Sequence, residues 1–348
     1  MSMVPVDKFG CFGKLSLSRE FLVERASDLT KCGFDSWVSE GMALARSPLG
    51  SAYKERALGF PPYRFVWSGH ARRSASLVGH LTPGADAAGR LHPFSVFAVL
   101  DSEAMRSDEP AQALRLAGLH AMLEDAAGRA RTCTEPAALT SLVRSLRCDL
   151  APDTSYETAE YRSFLETRTN GELWTGVLGD AAAPGRYQIL QALFETVEYL
   201  RGRAATDVHM GVRFPLPAGP AVMEIAFWLD LTTRIFRGSI DGCCYLWNAG
   251  AGETPATGTS LSAGVPGASV STESAGLAGS PHLLFFFSPP TTAQFVALID
   301  PASDVESISY LERPYGGPPE DRMAPALRSV LDEPNAPLRA ILDWAASA

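Results

Sequence analysis

The chain holds 348 residues, 46% of them hydrophobic, and its 30 Lys and Arg against 39 Asp and Glu leave a net charge of −9. That content suffices for a sizeable core and excludes general disorder, while a pI near 5.3 argues against nucleic acid or an anionic membrane surface as partner. Met1 to Lys14 has no continuous apolar stretch and no later run is long enough to span a bilayer, so a cytoplasmic location is expected.

In chain order, Phe9 to Leu15 sets aromatics between glycines and reads as a short strand. Lys14 leaves it as a solvated lysine whose removal should be near neutral for folding. Ser18 to Val23 reads as the start of a short helix. Phe34 to Ala45 is a stronger one, with Phe34, Trp37, Val38, Met42 and Ala45 near one face and Pro48 with Gly50 as its stop. Tyr63 to Trp67, Ser76 to Leu81 and Phe94 to Leu100 read as an antiparallel meander. The loop joining the last two is bracketed by glycines, and its Asp86 and Arg90, four apart, are expected to close it as an ion pair.

Four helical patterns follow: Ala111 to Arg131, a second from Pro136 with Thr134 as cap, Tyr156 to Thr167, and Arg186 to Arg201 with Gly202 as stop. His209 to Phe214 and Ile240 to Trp247 read as strands on either side of an apolar helix, Pro220 to Arg234. Residues 249–280 are almost wholly Gly, Ala, Ser, Thr and Pro, a composition that cannot offset chain entropy by burial, and read as a disordered insertion. Leu283 to Phe287 is again a buried-strand run, so the insertion is expected to decorate a connection within one sheet. Thr291 to Ile299 reads as a short helix, Val305 to Leu311 as a last strand, and the tail carries two short helical patterns. Strands and helices together place the chain in the α/β class.

No GxxxxGK[ST] phosphate loop, GxGxxG turn or GxSxG nucleophile elbow occurs. His80, Asp86 and His92, with His70, could form a metal or acid–base site, but their spacing is not that of a ligand set. Six cysteines (Cys11, Cys32, Cys133, Cys148, Cys243, Cys244) form no CxxC pair and read as reduced thiols. Cys243 and Cys244 sit in an apolar strand beside Tyr245 and Trp247, where cysteine packs. Neither a metal nor a cofactor is expected.

Gly10-Cys11-Phe12-Gly13-Lys14-Leu15, the Phe21 segment, Phe34-Asp35-Ser36-Trp37 with Glu40-Gly41, Tyr63-Arg64-Phe65, and Asp86-Ala87-Ala88-Gly89-Arg90-Leu91-His92-Pro93 resemble the TagF/ImpM family in order and approximate spacing. That family accompanies bacterial type VI secretion systems. Departures are Ser16 in place of a proline, Arg19-Glu20-Phe21 in place of a Gly-Asp-Phe triplet, and Phe34 where the family prefers Trp. The resemblance implies a three-layer αβα sandwich with a mixed, partly antiparallel sheet. One domain is expected over 7–311, interrupted at about 249–280 by the low-complexity insertion, ahead of a helical or flexible tail over 312–348.

The resemblance further implies a cytoplasmic, non-enzymatic, post-translational repressor of secretion that engages a forkhead-associated scaffold protein. Partner-binding residues are expected at Lys14, Arg19, Glu20, Asp35, Trp37, Asp86, Arg90 and His92. Two other readings stand beside it. One is a hydrolase or metal-dependent enzyme centred on Asp86 and His92, the other a structural adaptor of the secretion baseplate.

Overall fold

The computed structural model describes residues 3–68, 75–101, 105, 109–151, 158–201, 203, 209–238, 240, 242–248, 280–313 and 323–347. The strands are β1 (Val4–Val6), β2 (Phe9–Gly13), β3 (Leu22–Glu24), β4 (Tyr63–Trp67), β5 (Ser76–Thr82), β6 (Phe94–Leu100), β7 (Cys148–Leu150), β8 (Gly211–Pro215), β9 (Cys244–Asn248), β10 (His282–Phe286) and β11 (Ile308–Tyr310). The helices are α1 (Ala26–Cys32), α2 (Phe34–Leu49), α3 (Tyr53–Gly59), α4 (Glu109–Arg115), α5 (Ala117–Thr132), α6 (Pro136–Ser145), α7 (Ala159–Thr167), α8 (Asn170–Leu178), α9 (Gly185–Leu200), α10 (Val222–Phe236), α11 (Val296–Ile299), α12 (Pro325–Asp332) and α13 (Leu338–Ser347).

Side-chain alternation in the strands decides the architecture. Phe65 and Trp67 of β4 join one apolar cluster and Val66 the other; Cys244 and Leu246 of β9 oppose Tyr245 and Trp247, and Leu284 and Phe286 of β10 oppose Leu283 and Phe285. Both faces of the sheet are apolar, so both must be covered. One is covered by α1, α2, α3 and α11, the other by α4 to α10 with α12 and α13, which gives the αβα sandwich expected. α10 is apolar nearly all round and therefore central in its layer. Of its two acids, Glu224 in the first turn and Asp230, the latter is fully buried and takes bonds from Tyr161 Oη at 3.1 Å and Arg234 Nε at 2.6 Å.

The nine-stranded sheet runs β11-β8-β10-β9-β4-β5-β6-β2-β3, parallel at β11–β8 and antiparallel elsewhere, while β1 and β7 form a separate pair. β4, β5 and β6 make the expected meander. β9 and β10 are neighbours, with Asn248 opposite His282, so the chain leaves and re-enters one sheet at adjacent positions around the stretch read as an insertion. Residues 249–279 themselves lie outside the described residues, as do His70 and Gly202.

Several expectations need correction. The segment from Ser18 does not open a helix: Ser18 Oγ accepts the Glu20 N–H at 3.0 Å in a local turn, and Leu22 to Glu24 then pair with β2. α2 runs through Pro48, which gives up one intrahelical N–H bond there, and stops at Gly50, whose N–H meets the Arg46 carbonyl. The long pattern from Ala111 breaks at Leu116 into α4 and α5. Thr134 is not a cap; Glu135 holds that position without a side-chain bond. α3 and α8 are additions, α8 opened by a capping box of Thr169 and Glu172. The tail helices α12 and α13 bury Leu327, Leu331, Leu338, Ile341 and Leu342 in the same core as α10.

Candidate partner-binding site

β2 and β3 form one margin of the sheet, with β3 outermost. β2 ends at Gly13, whose φ of +128° and the Pro93 carbonyl standing where a Cβ would go together require glycine. From there Lys14 reaches the loop between β5 and β6. Its Nζ donates to Asp86 Oδ2 at 2.7 Å, and Arg90 Nε donates to the same oxygen at 2.6 Å. Asp86 Oδ1 accepts the backbone N–H of Ala88 and of Arg90, both at 2.9 Å. Gly89 (φ +78°) turns the loop so that its N–H meets the Asp86 carbonyl at 2.9 Å. The loop is tied to the segment before β3 by Ala87 N–H to Ser18 O at 2.9 Å and by Arg90 Nη2 to the Arg19 carbonyl.

Asp86 is thus a buried anion with four donors around it. Burial alone would raise its pKa, but the Lys14 ammonium, the Arg90 amide and guanidinium and the Ala88 amide hold the carboxyl well below the ordinary range. The predicted Asp86–Arg90 pair is present. Lys14 departs from expectation: it is only 6% exposed and forms an ion pair the sequence spacing did not announce.

An aromatic group sits beside the charges. Lys14 Nζ lies 4.5 Å from the Phe21 ring centre, Phe21 stacks on Phe12 at 5.7 Å, and His92 meets both rings edge-on at 4.8 and 5.0 Å. His92 Nδ1–H donates to the Pro93 carbonyl at 2.8 Å, which leaves Nε2 to accept from Ser39 Oγ of α2 at 3.3 Å. Burial pushes the His92 pKa down to about 4, with the Pro93 carbonyl opposing and the Lys14 charge assisting. His92 is therefore a neutral link between loop and helix.

The expected site residues divide. Lys14, Asp86, Arg90 and His92 come together, and Arg19 and Glu20 lie exposed beside them. Asp35 is half-buried and spends its carboxylate on Thr30 Oγ1 at 3.0 Å and the Ser36 N–H at 2.9 Å. Trp37, read on the apolar face of its helix and also named for partner binding, is buried: its ring packs on Trp67 and Phe295, and Nε1 donates to the Thr291 carbonyl at 2.9 Å. Two residues outside the expected set face outward, Phe21 at 44% and Val23 at 41% exposure. Strand alternation puts them on one face, a signal available only once β3 is known to be a strand.

His80 is not part of this site. Its neighbours in charge are Arg64, Glu124 and Arg131, on the α5 side of the sheet. Among the described residues no group of three His, Cys, Asp or Glu is placed to hold a metal. Cys244 is buried and its thiol is pushed up to about 12, so it packs.

The ion pairs set an order of stability that thermal unfolding can check. Asp86→Ala is expected to be the worst single change, because it strands an ammonium whose side chain is 8% exposed. Lys14→Ala should cost about 1–3 kcal/mol. Arg90→Ala should cost under about 1 kcal/mol, since 59% of its side chain meets water. Lys14→Met combined with Asp86→Leu should recover most of the loss seen in Asp86→Ala.

The marked feature of this αβα sandwich is a charge-clamped loop beside the exposed Phe21 and Val23. Comparison with family models matches residues 10–146 to the TagF N-terminal domain, type VI secretion system-associated. The matched residues run from β2 to the end of α6 and hold Lys14, Asp86, Arg90 and His92. No curated protein matches the chain. Among solved structures, the crystal structure of PA0076 from Pseudomonas aeruginosa PAO1 is similar at 15% identity, covering 89% of this chain and 99% of that one with a TM-score of 0.47.

Proposed function

We propose that this chain is a non-catalytic cytoplasmic accessory protein of a type VI secretion system, and that it works by holding a partner protein at the β2–β3 margin. The observation that carries this is the division of labour at the site: the buried charges Lys14 and Asp86 are spent on each other and on the loop, while Phe21, Val23, Arg19 and Arg90 face outward. A site built that way fixes a surface, and the two groups an acid–base reading would use, Asp86 and His92, are spent on the bonds that hold it. The enzyme reading is weaker because Asp86 already has four donors and His80 and His92 lie on opposite faces of the sheet.

In its finer form the proposal is a post-translational repressor that engages a forkhead-associated scaffold protein, as the family resemblance implies. Cells lacking the chain should export more of the system's tube protein than the parent strain. A folded variant carrying Arg19→Glu and Phe21→Ala should fail to restore the restraint. Export abolished by the deletion would instead favour the baseplate adaptor, and restraint fully restored by the variant would place the working surface elsewhere.

A further inference from the structure

We propose that β3 takes up an extended segment of the partner as a further strand of the sheet, with an acidic side chain set against Arg19 and Arg90 and an apolar one over Phe21 and Val23. This rests on the margin being the partner surface. β3 is an outermost strand, and among the described residues no other strand pairs with its outer side. Such edges are normally blunted by charge, proline or a covering element. Here the outward positions are apolar: Phe21 and Val23, two apart, share the face on which α2 lies. Phe21 is already held by Phe12, His92 and Lys14, so little side-chain freedom is lost when a partner covers it.

Charge selects the occupant. Arg19 makes no ion pair among the described residues, and Arg90 keeps 59% of its side chain in water although its Nε is bound to Asp86. With Lys14 cancelling Asp86, these two guanidiniums leave a positive spot on a chain of net charge −9. Exposed Glu20 opposes an acid at its own position, so the partner's carboxylate belongs on the Arg90 side. A second copy of this chain is a poor occupant. A two-fold axis through Leu22 would set Arg19 against Arg25 and Glu20 against Glu24, like charges facing across the pair.

The test uses the full chain and a fluorescein-labelled nine-residue peptide with two glutamates followed by alternating valine and threonine, read by fluorescence anisotropy. Two controls replace the glutamates by lysines or every second residue by proline, which cannot pair. The glutamate peptide should bind, bind roughly ten-fold more weakly to Arg19→Glu, and slow amide exchange at Leu22 to Arg25; the lysine and proline peptides should bind at least as poorly. Equal binding of the lysine peptide, equal binding of the proline peptide, or no binding of the glutamate peptide would overturn the proposal. So would a concentration-dependent dimer of the chain that Val23→Lys abolishes. Capture of the native partner separates the two levels: if it survives Phe21→Ala and Arg19→Glu, the margin reading itself fails. If it is lost there but survives in folded Val23→Pro, strand addition alone fails.

Discussion

Lowering the pH from 7 to 5 is expected to unfold the protein. His80, His92, His120 and His282 are all buried, and burial pushes their pKa values down to about 4, 4, 3 and 3. Each group is held neutral in the fold and charges freely once unfolded, near pH 6.5. Their stabilising contribution is therefore complete above that pH and is lost as the pH falls towards the folded values. At pH 5 each costs about 2 kcal/mol, or about 8 for the four, against a total stability of roughly 5–15 kcal/mol for an ordinary domain. Asp86, whose pKa is depressed, loses its contribution only below the ordinary carboxylate range, so the histidines dominate this window.

The surroundings give them little relief. His80 and His120 share their pocket with Arg64 and Arg131 against the single acid Glu124; His92 faces Lys14, and His282 faces Arg213. Neither ring nitrogen of His120 makes a well-formed hydrogen bond, and its ring meets Trp247 edge-on at 4.6 Å. His120→Phe keeps that contact and removes the proton site, so it should be neutral or stabilising at pH 7 and should move the acid midpoint downward. Circular dichroism against pH decides the matter. A parent protein still folded at pH 4.5, or a midpoint unmoved in His120→Phe, contradicts the account.

Gly84→Ala is expected to destabilise by about 3 kcal/mol or more and to abolish partner binding. Gly84 passes between two backbones: a Cβ there would collide with the His92 and Lys14 carbonyl oxygens, and its own carbonyl accepts the His92 N–H at 3.0 Å. Backbone on both sides cannot yield by changing rotamer. Accommodation must push Lys14 and His92 apart, which opens the Lys14–Asp86 pair and the aromatic group together. Gly89→Ala is the comparison, because its φ is positive while the space around it is open; it should cost only about 1 kcal/mol. Equal unfolding midpoints for the two variants would mean that the close approach at Gly84 does not hold the margin together.

What was legible in the sequence follows the length and regularity of each signal. β4 and β6 were readable to the residue, because a buried strand with both faces covered is a continuous apolar run. The Asp86–Arg90 pair was readable because both ends lie in one short loop. β3 was not: three residues carry no period, and Ser18-Arg19-Glu20 has the look of a helix start. Once β3 was misread, the outward pair Phe21 and Val23 could not be found. The burial of Lys14 was hidden for a different reason, since its partner is 72 residues away and only the sheet order brings them together. The α8 capping box, in contrast, is legible in the sequence as Thr169 followed three residues on by Glu172.

The central claim, that the β2–β3 margin binds a protein and performs no chemistry, is tested most directly by quantitative co-purification from a lysate of the native cells. Parent chain, Phe21→Ala and Arg19→Glu would be compared by mass spectrometry, with folding checked for each. The account predicts that the parent retains a type VI secretion component in stoichiometric amount and that both variants lose most of it at unchanged stability. Equal recovery of that component with all three chains would contradict it.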